Sequence, residues 1–140
     1  MAYEVLEAIY KDKPIAQDSH HDIESFIWVL CYSIGRRWVT SPGEMVKARH
    51  EQLSDFFHNN FGRVKLHTIL LARSGVSGPL DIAESYPETV SPPLVPLFSH
   101  LRGLIHAAHA PPNSPNAAVT LTYKQVFGLL DKTIEVLKCC

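Results

Sequence analysis

Residues 19–30, S-H-H-D-I-E-S-F-I-W-V-L, are the stretch that decides the fold of this 140-residue chain. Their apolar side chains, continued by the following C-Y-S-I, recur at the i, i+3, i+4 and i+7 spacing of a helix: Ile23, Phe26, Ile27, Leu30, Cys31 and Ile34. Because Trp28 and Val29 fill the opposite side, the segment is hydrophobic all round, which is typical of a helix at the centre of a domain. We therefore predict a core helix over about 20–35, with 23–34 as the most buried segment of the chain.

Residues that start and stop helices extend this prediction along the chain. The core helix opens with the N-cap pattern S-x-x-D at Ser19 and ends at Gly35. Further helices are predicted at 3–9, from the S-P-G-E pattern at Ser41 to about His58, at about 63–73, from Leu94 to Ala108, and onward from the capping box of Thr122 and Gln125. Residues 74–93 carry the glycines and prolines of a long irregular loop. Since no alternating strand pattern occurs, we predict an all-α single domain over 1–140.

Composition excludes several classes of protein. The formal net charge is −1 with scattered Lys and Arg residues, which argues against a nucleic-acid interface. No apolar run reaches the ~18 residues of a membrane span, and no secretory signal pattern opens the chain, so we expect an intracellular protein, cytoplasmic or nuclear.

Three cysteines do not make a disulfide framework. Cys31 belongs to the apolar helix and is interpreted as a small core residue. Cys139 and Cys140 resemble the double-cysteine ending on which some small GTPases are prenylated. No GTPase motif accompanies them, so an exposed tail is favoured over a lipid anchor.

The wording of two short segments resembles that of protein kinases. Residues 1–6, M-A-Y-E-V-L, are similar to the kinase motif M-A-P-E-V-L, and D-I-E-S-F at 22–26 is similar to the wording of the fungal-type protein kinases. A central helix that starts with an aspartate also resembles the long core helix of the kinase C-lobe. The resemblance implies a helical, kinase-like C-lobe from the M-A-P-E motif onward. It further implies that full-length relatives use ATP and magnesium to phosphorylate serine or threonine in proteins.

The resemblance assigns a role to Glu4. It matches the kinase glutamate that closes the activation segment and pairs with an arginine of the late helices, although Tyr3 replaces the proline of the motif. The candidate partners are Arg102 in the first place, and then Arg36, Arg37 and Arg73.

A second role falls on Asp22, which matches the kinase aspartate that accepts hydrogen bonds from backbone amides of the catalytic loop. The usual pattern there is D-x-W-S-x-G, and Ser25 fits it. Glu24 stands for the tryptophan and Ile27 for the glycine, a departure that the fungal-type family shares. A plain helix cap at Asp22 and a plain surface acid at Glu4 stay open as alternatives.

The parts that phosphoryl transfer requires are missing from these residues. The sequence contains no G-x-G-x-x-G, H-R-D, D-F-G or Walker-type motif. We therefore predict neither ATP binding nor catalysis by these residues alone. Three hypotheses remain: an inactive kinase lobe, arising from a truncated gene or an internal start codon; a non-catalytic helical interaction module that keeps the docking surfaces of the lobe; and an unrelated helical bundle. For the kinase lobe we expect an exposed apolar face near Asp22, which binds a hydrophobic dye or causes self-association unless a protein partner covers it; monomeric behaviour with low dye binding would favour an independently evolved module.

Histidines offer one further type of chemistry. His20 with His21, and His106 with His109, each bring two ring nitrogens together as half of a zinc site. Zinc requires further ligands, with Cys, Asp or Glu at matched spacing, and none accompanies either pair. The sequence therefore predicts no metal and no other cofactor in this chain.

Overall fold

The structure is a computed structural model that describes residues 2–14, 19–62, 78–110 and 120–139, together with residues 65, 67, 69 and 113. Over these residues it is helical and contains no strand, so the all-α prediction is confirmed. The α-helices are α1 (Tyr3–Tyr10), α2 (Ser19–Thr40), α3 (Lys47–Phe61), α4 (Ile82–Ser85), α5 (Leu94–Ala108) and α6 (Tyr123–Lys138), and a 3-10 turn spans Gly78–Asp81. The chain divides into two compact units, Met1–Pro79 and Leu80–Cys140. The single-domain interpretation stays a prediction.

Helix α2 is the central element of the first unit and packs against α3. Its buried residues follow the helical repeat along one side: His21, Ile23, Glu24, Ile27, Trp28, Cys31 and Gly35. The prediction of burial all round is wrong, because Phe26 is 39% exposed and Val29 is 59% exposed. The apolar run of α2 therefore supplies a core face and a second, solvent-facing side, which the periodicity alone cannot separate.

The predicted end of α2 at Gly35 is also wrong, since the helix continues to Thr40. Gly35 is buried where α2 meets α3, and a Cβ atom there would lie 3.0 Å from Cδ2 of Phe57. The glycine thus permits a close approach of the two helices and does not cap the first of them.

Helix α3 starts later than predicted. It begins at Lys47 rather than near Ser41, and it ends at Phe61 instead of at about residue 58. Gly43 has a φ of +60°, a left-handed conformation that a continuous right-handed helix does not accommodate. The S-P-G-E pattern therefore forms a turn, in which the Met45 amide donates to the Pro42 carbonyl at 3.1 Å. The helix predicted at 63–73 lies mostly outside the described residues.

Helix α5 packs against both α4 and α6 in the second unit. Leu97, Phe98, Leu101 and Ile105 of α5 are buried, as its amphipathic pattern predicts. The described part of the predicted loop, residues 78–93, is more ordered than expected: it contains the 3-10 turn and α4. The reason is burial of its apolar side chains, Leu80, Ile82, Ala83 and Val90.

The N-terminus of α6 confirms the predicted capping box. The Gln125 amide donates to Oγ1 of Thr122 at 3.4 Å, and the Thr122 amide donates to Oε1 of Gln125 at 2.9 Å. Val126 is fully buried, whereas Ile134 and Leu137 farther along α6 are exposed.

Candidate functional site at the start of helix α2

Three polar side chains converge where α1 and α2 begin. Nε2 of His21 lies 2.8 Å from Oε2 of Glu4, and Nε2 of His20 lies 3.6 Å from the same oxygen. The two imidazole rings are 4.0 Å apart between centroids. His21 is only 3% exposed, while His20 and Glu4 are partly accessible to solvent. A carboxylate and two imidazoles therefore share one partly buried position, which we call the Glu-His-His cluster (Glu4, His20, His21).

Helix geometry explains why both histidines reach the same carboxylate. Consecutive residues of an α-helix are separated by about 100° around its axis. The two side chains thus point about 100° apart, slightly more than a right angle, and a group that lies between their directions can contact both. Glu4 occupies that position because α1 presents it from its first turn. The ligand atoms of the three residues all lie within 4.8 Å of one another, a separation compatible with one shared metal ion.

The sequence interpretation of the histidines missed this carboxylate. Asp22 and Glu24 follow the pair within four residues, but the acid that contacts His21 is Glu4, which is 17 residues away along the chain and meets it through the fold. The statement that the pair has no acidic companion is therefore wrong. Only the position of α1 relative to α2 could have indicated it, and no local pattern encodes that position. For the pair His106 and His109, no third ligand within metal-binding distance is found among the described residues.

The predicted ion pair between Glu4 and an arginine stays a prediction. Glu4 contacts the two histidines of the cluster. Arg102 has described partners of its own: its Nε lies 3.2 Å from Oδ1 of Asp81, and its Nη1 donates to Glu84. These contacts join α5 to the turn and helix α4 before it, within the second unit.

Asp22 and Ser25 lie just beyond the cluster on α2. Asp22 is exposed in the first turn, and Ser25 is half-buried. Asp22 also begins a row of exposed residues along α2, which continues at i+4, i+7 and i+11 and which we call the outer strip: Asp22, Phe26, Val29 and Ser33. The outer strip thus places two apolar side chains in water directly after a carboxylate.

A buried polar pair lies on the opposite side of α2. Glu24 is 1% exposed, and its Oε1 accepts a hydrogen bond of 3.0 Å from Nε1 of Trp28, which is 2% exposed. Residues four apart share one face of a helix, so the pair forms within a single element. The burial of Glu24 was not expected from its residue type, because glutamate is almost never fully buried unless it is paired.

The second unit contains an apolar groove between α5 and α6 with a volume of about 430 Å³. Its lining is provided by prolines before and within α5 together with Leu97, Leu129 and Val136, and by the polar edges of His100 and Lys132. No group of three metal-ligating side chains occurs there among the described residues. The groove therefore offers apolar contact area without an evident reactive group.

None of the helices over the described ranges combines the length and the apolar character that crossing a membrane requires. Comparisons of the chain with protein-family models, with curated proteins and with solved structures found no match.

Proposed function

We propose that these residues form the C-terminal lobe of a fungal-type protein kinase, and that the outer strip of α2 receives the catalytic-loop segment of such a kinase. The observation that carries the proposal is the exposure of Phe26 and Val29 directly after Asp22. In the kinases that the sequence resembles, the aspartate in this place accepts hydrogen bonds from the catalytic loop. The resemblance therefore indicates the outer strip as the binding surface and the catalytic-loop segment as the segment that binds to it.

The chemistry of the outer strip fits such an occupant. The exposed carboxylate of Asp22 can accept hydrogen bonds from backbone amides, and hydrogen bonds to a charged acceptor are about twice as strong as neutral ones. Phe26 and Val29 would lose contact with water when a loop lies over them, which contributes about 25 cal/mol for each Å² of apolar surface buried. A polar anchor followed by an apolar contact area suits a segment of extended backbone with apolar side chains.

Phosphoryl transfer is assigned to the occupant and not to these residues. The sequence holds no Gly-rich loop, no lysine in a phosphate-binding motif and no metal-binding D-F-G aspartate. Titration of these residues with ATP and magnesium by calorimetry is expected to give no heat of binding. In the complete kinase, ATP would be the phosphate donor, which implies an intracellular location.

The test uses a matched pair of valine variants in the first unit. Val29→Asp puts a charge into the outer strip, whereas Val46→Asp puts the same charge on an exposed valine, 72% exposed, that precedes α3. The probe is a separately produced fragment of a fungal-type kinase that runs from its Gly-rich loop through its D-F-G motif. Titration calorimetry measures its binding to each variant.

We expect the fragment to bind the unchanged chain, and Val29→Asp to weaken that binding by about tenfold or more. Val46→Asp should change it by less than about twofold. Absence of binding to the unchanged chain, or equal effects of the two substitutions, would refute the proposal. If the fragment does not bind but the chain self-associates through Val29, the non-catalytic interaction module becomes the better interpretation.

A further inference from the structure

We propose that the Glu-His-His cluster binds one Zn²⁺ ion through Glu4, His20 and His21, with a fourth position open to water or to another ligand. The proposal is independent of the kinase-like function, because it rests on the convergence of three side chains and on no resemblance.

The two distances from Glu4 to the histidines are close to those of a tetrahedral zinc site, and the ligand atoms of the three residues all lie within 4.8 Å of one another. Bonds of about 2.0–2.1 Å from zinc to nitrogen and oxygen place neighbouring ligand atoms about 3.3–3.4 Å apart. Nε2 of His20 lies 3.6 Å from Oε2 of Glu4, close to that value. The 2.8 Å hydrogen bond from His21 to the same oxygen must lengthen by roughly half an ångström. The Glu4 side chain is 43% exposed, and this leaves it room to move.

The types of ligand select zinc over the common hard cations. Two imidazole nitrogens and one carboxylate oxygen form a set that occurs at zinc sites with three protein ligands and an open position. Mg²⁺ and Ca²⁺ prefer sets of oxygen ligands and are not suited to two imidazoles. Zinc also requires the imidazoles in their neutral form, so protons compete with it and its affinity must fall as the pH is lowered.

A hydrogen bond alone accounts for only part of the arrangement. His21 is buried, and its contact with Glu4 satisfies a polar group that would be costly to bury without a partner. One histidine is enough to explain this contact between Glu4 and a buried polar group. His20 is a second histidine on the same oxygen, and its side chain is 32% exposed, so burial does not require its contact. A metal ion shared by the three side chains gives a reason for both.

The site is open to ions from solvent. Glu4 lines a cavity of about 340 Å³, together with Glu7, Lys11 and three neighbouring residues of the first unit. Zinc can therefore reach the carboxylate without unfolding of α1 or α2. His20 is likewise accessible, with 32% of its side chain exposed, whereas the His21 side chain is 3% exposed and lies on the buried side of the cluster.

The experiment measures zinc affinity in a chain whose terminal thiols are removed. Cys139→Ser and Cys140→Ser are present throughout, because a pair of thiolates could itself bind zinc. Two further substitutions test the cluster: His20→Ala, which removes an accessible ligand, and Glu4→Gln, which replaces the carboxylate by an amide. His106→Ala removes an exposed histidine of α5 and serves as the matched control. Circular dichroism verifies that the helix content of each variant is unchanged.

We expect one zinc ion to bind per chain, and both His20→Ala and Glu4→Gln to weaken its affinity by about tenfold or more. His106→Ala should leave the affinity within about twofold. Co²⁺ in place of zinc should give visible absorption bands, and His20→Ala at saturating Co²⁺ should change their position and intensity, because one nitrogen ligand is lost while the helix content is unchanged. The proposal is overturned if zinc does not bind, or if His20→Ala and Glu4→Gln bind it as well as His106→Ala does.

Discussion

The buried pair of Glu24 and Trp28 allows the sharpest test of the core of the first unit. Glu24→Leu keeps a side chain of similar size but removes the acceptor that lies 3.0 Å from Nε1 of Trp28. Because Trp28 is 2% exposed, water cannot readily replace that acceptor. A buried donor that loses its partner costs about 1–3 kcal/mol. We therefore expect Glu24→Leu to lower the free energy of unfolding by that amount.

A double-mutant cycle separates the hydrogen bond from the other contacts of the two side chains. Trp28→Phe removes the donor and also part of a large ring, so its own cost contains a packing contribution. The double variant lacks both the indole donor of Trp28 and the carboxylate acceptor of Glu24, so neither buried group is left without the other. The double variant should therefore be more stable than the sum of the single effects predicts, by about 1 kcal/mol or more.

The assay is urea unfolding followed by helical circular dichroism, which does not depend on the fluorescence of the substituted tryptophan. Glu51→Leu is the matched control, because Glu51 on α3 has a side chain that is 64% exposed. That substitution should change the free energy of unfolding by less than about 0.5 kcal/mol. Single effects of Glu24→Leu and Trp28→Phe that add within about 0.3–0.5 kcal/mol would show that the hydrogen bond does not couple the two residues.

Three further substitutions test local features of the helices by the same unfolding assay. Gly35→Leu should destabilise the chain by about 1–3 kcal/mol through overpacking against Phe57, and Phe57→Ala in the same chain should recover part of that loss; no recovery would contradict the close contact. Gly103→Ala should stabilise it by about 0.5–1 kcal/mol, because no described atom lies within 4 Å of the added Cβ atom in α5; destabilisation would contradict this. Thr122→Ala should cost about 0.5–2 kcal/mol by removing the side chain that caps α6 with Gln125, and an unchanged stability would show that the cap contributes nothing.

Sequence patterns predicted those elements whose information is local. The capping box at Thr122 is contained within four residues, and the structure reproduces it. The amphipathic face of α5 is contained within one helix, and its buried residues are the expected ones. In both cases the residues that determine the feature are close together in sequence, so no knowledge of the neighbouring helices was needed.

Predictions failed where the role of a residue depends on a distant partner. Gly35 has the sequence features of a helix end, but contact with Phe57 makes it a packing position in the middle of α2. Val29 has the same apolar character as its buried neighbours, and only the position of the other helices leaves it 59% exposed. Tertiary packing thus overrides local propensity at both positions.

The candidate site residues also divide into those that a local motif indicates and those that only the fold brings together. Asp22 was singled out through its motif, and its role stays a prediction; the structure shows it exposed in the first turn of α2. His20 and His21 were noticed as a pair, but Glu4 completes them from another helix. A site assembled from two elements is visible in sequence only as separate parts, so motif searches find its members and miss their convergence.

The two proposals, zinc binding and binding of the catalytic-loop segment, depend on different residues of α2. An experiment can therefore show that one of them fails while the other holds. His20 belongs to the Glu-His-His cluster, whereas Val29 lies on the outer strip, seven residues beyond Asp22 and therefore two helical turns away. If zinc binding is real, His20→Ala weakens it while the binding of the kinase fragment is unaffected, because the outer strip is intact. If the kinase fragment binds to the outer strip, Val29→Asp weakens that binding while zinc still binds to the Glu-His-His cluster. A variant at one position that abolished both activities would mean that the first turns of α2 had lost their structure, and circular dichroism would detect that loss directly.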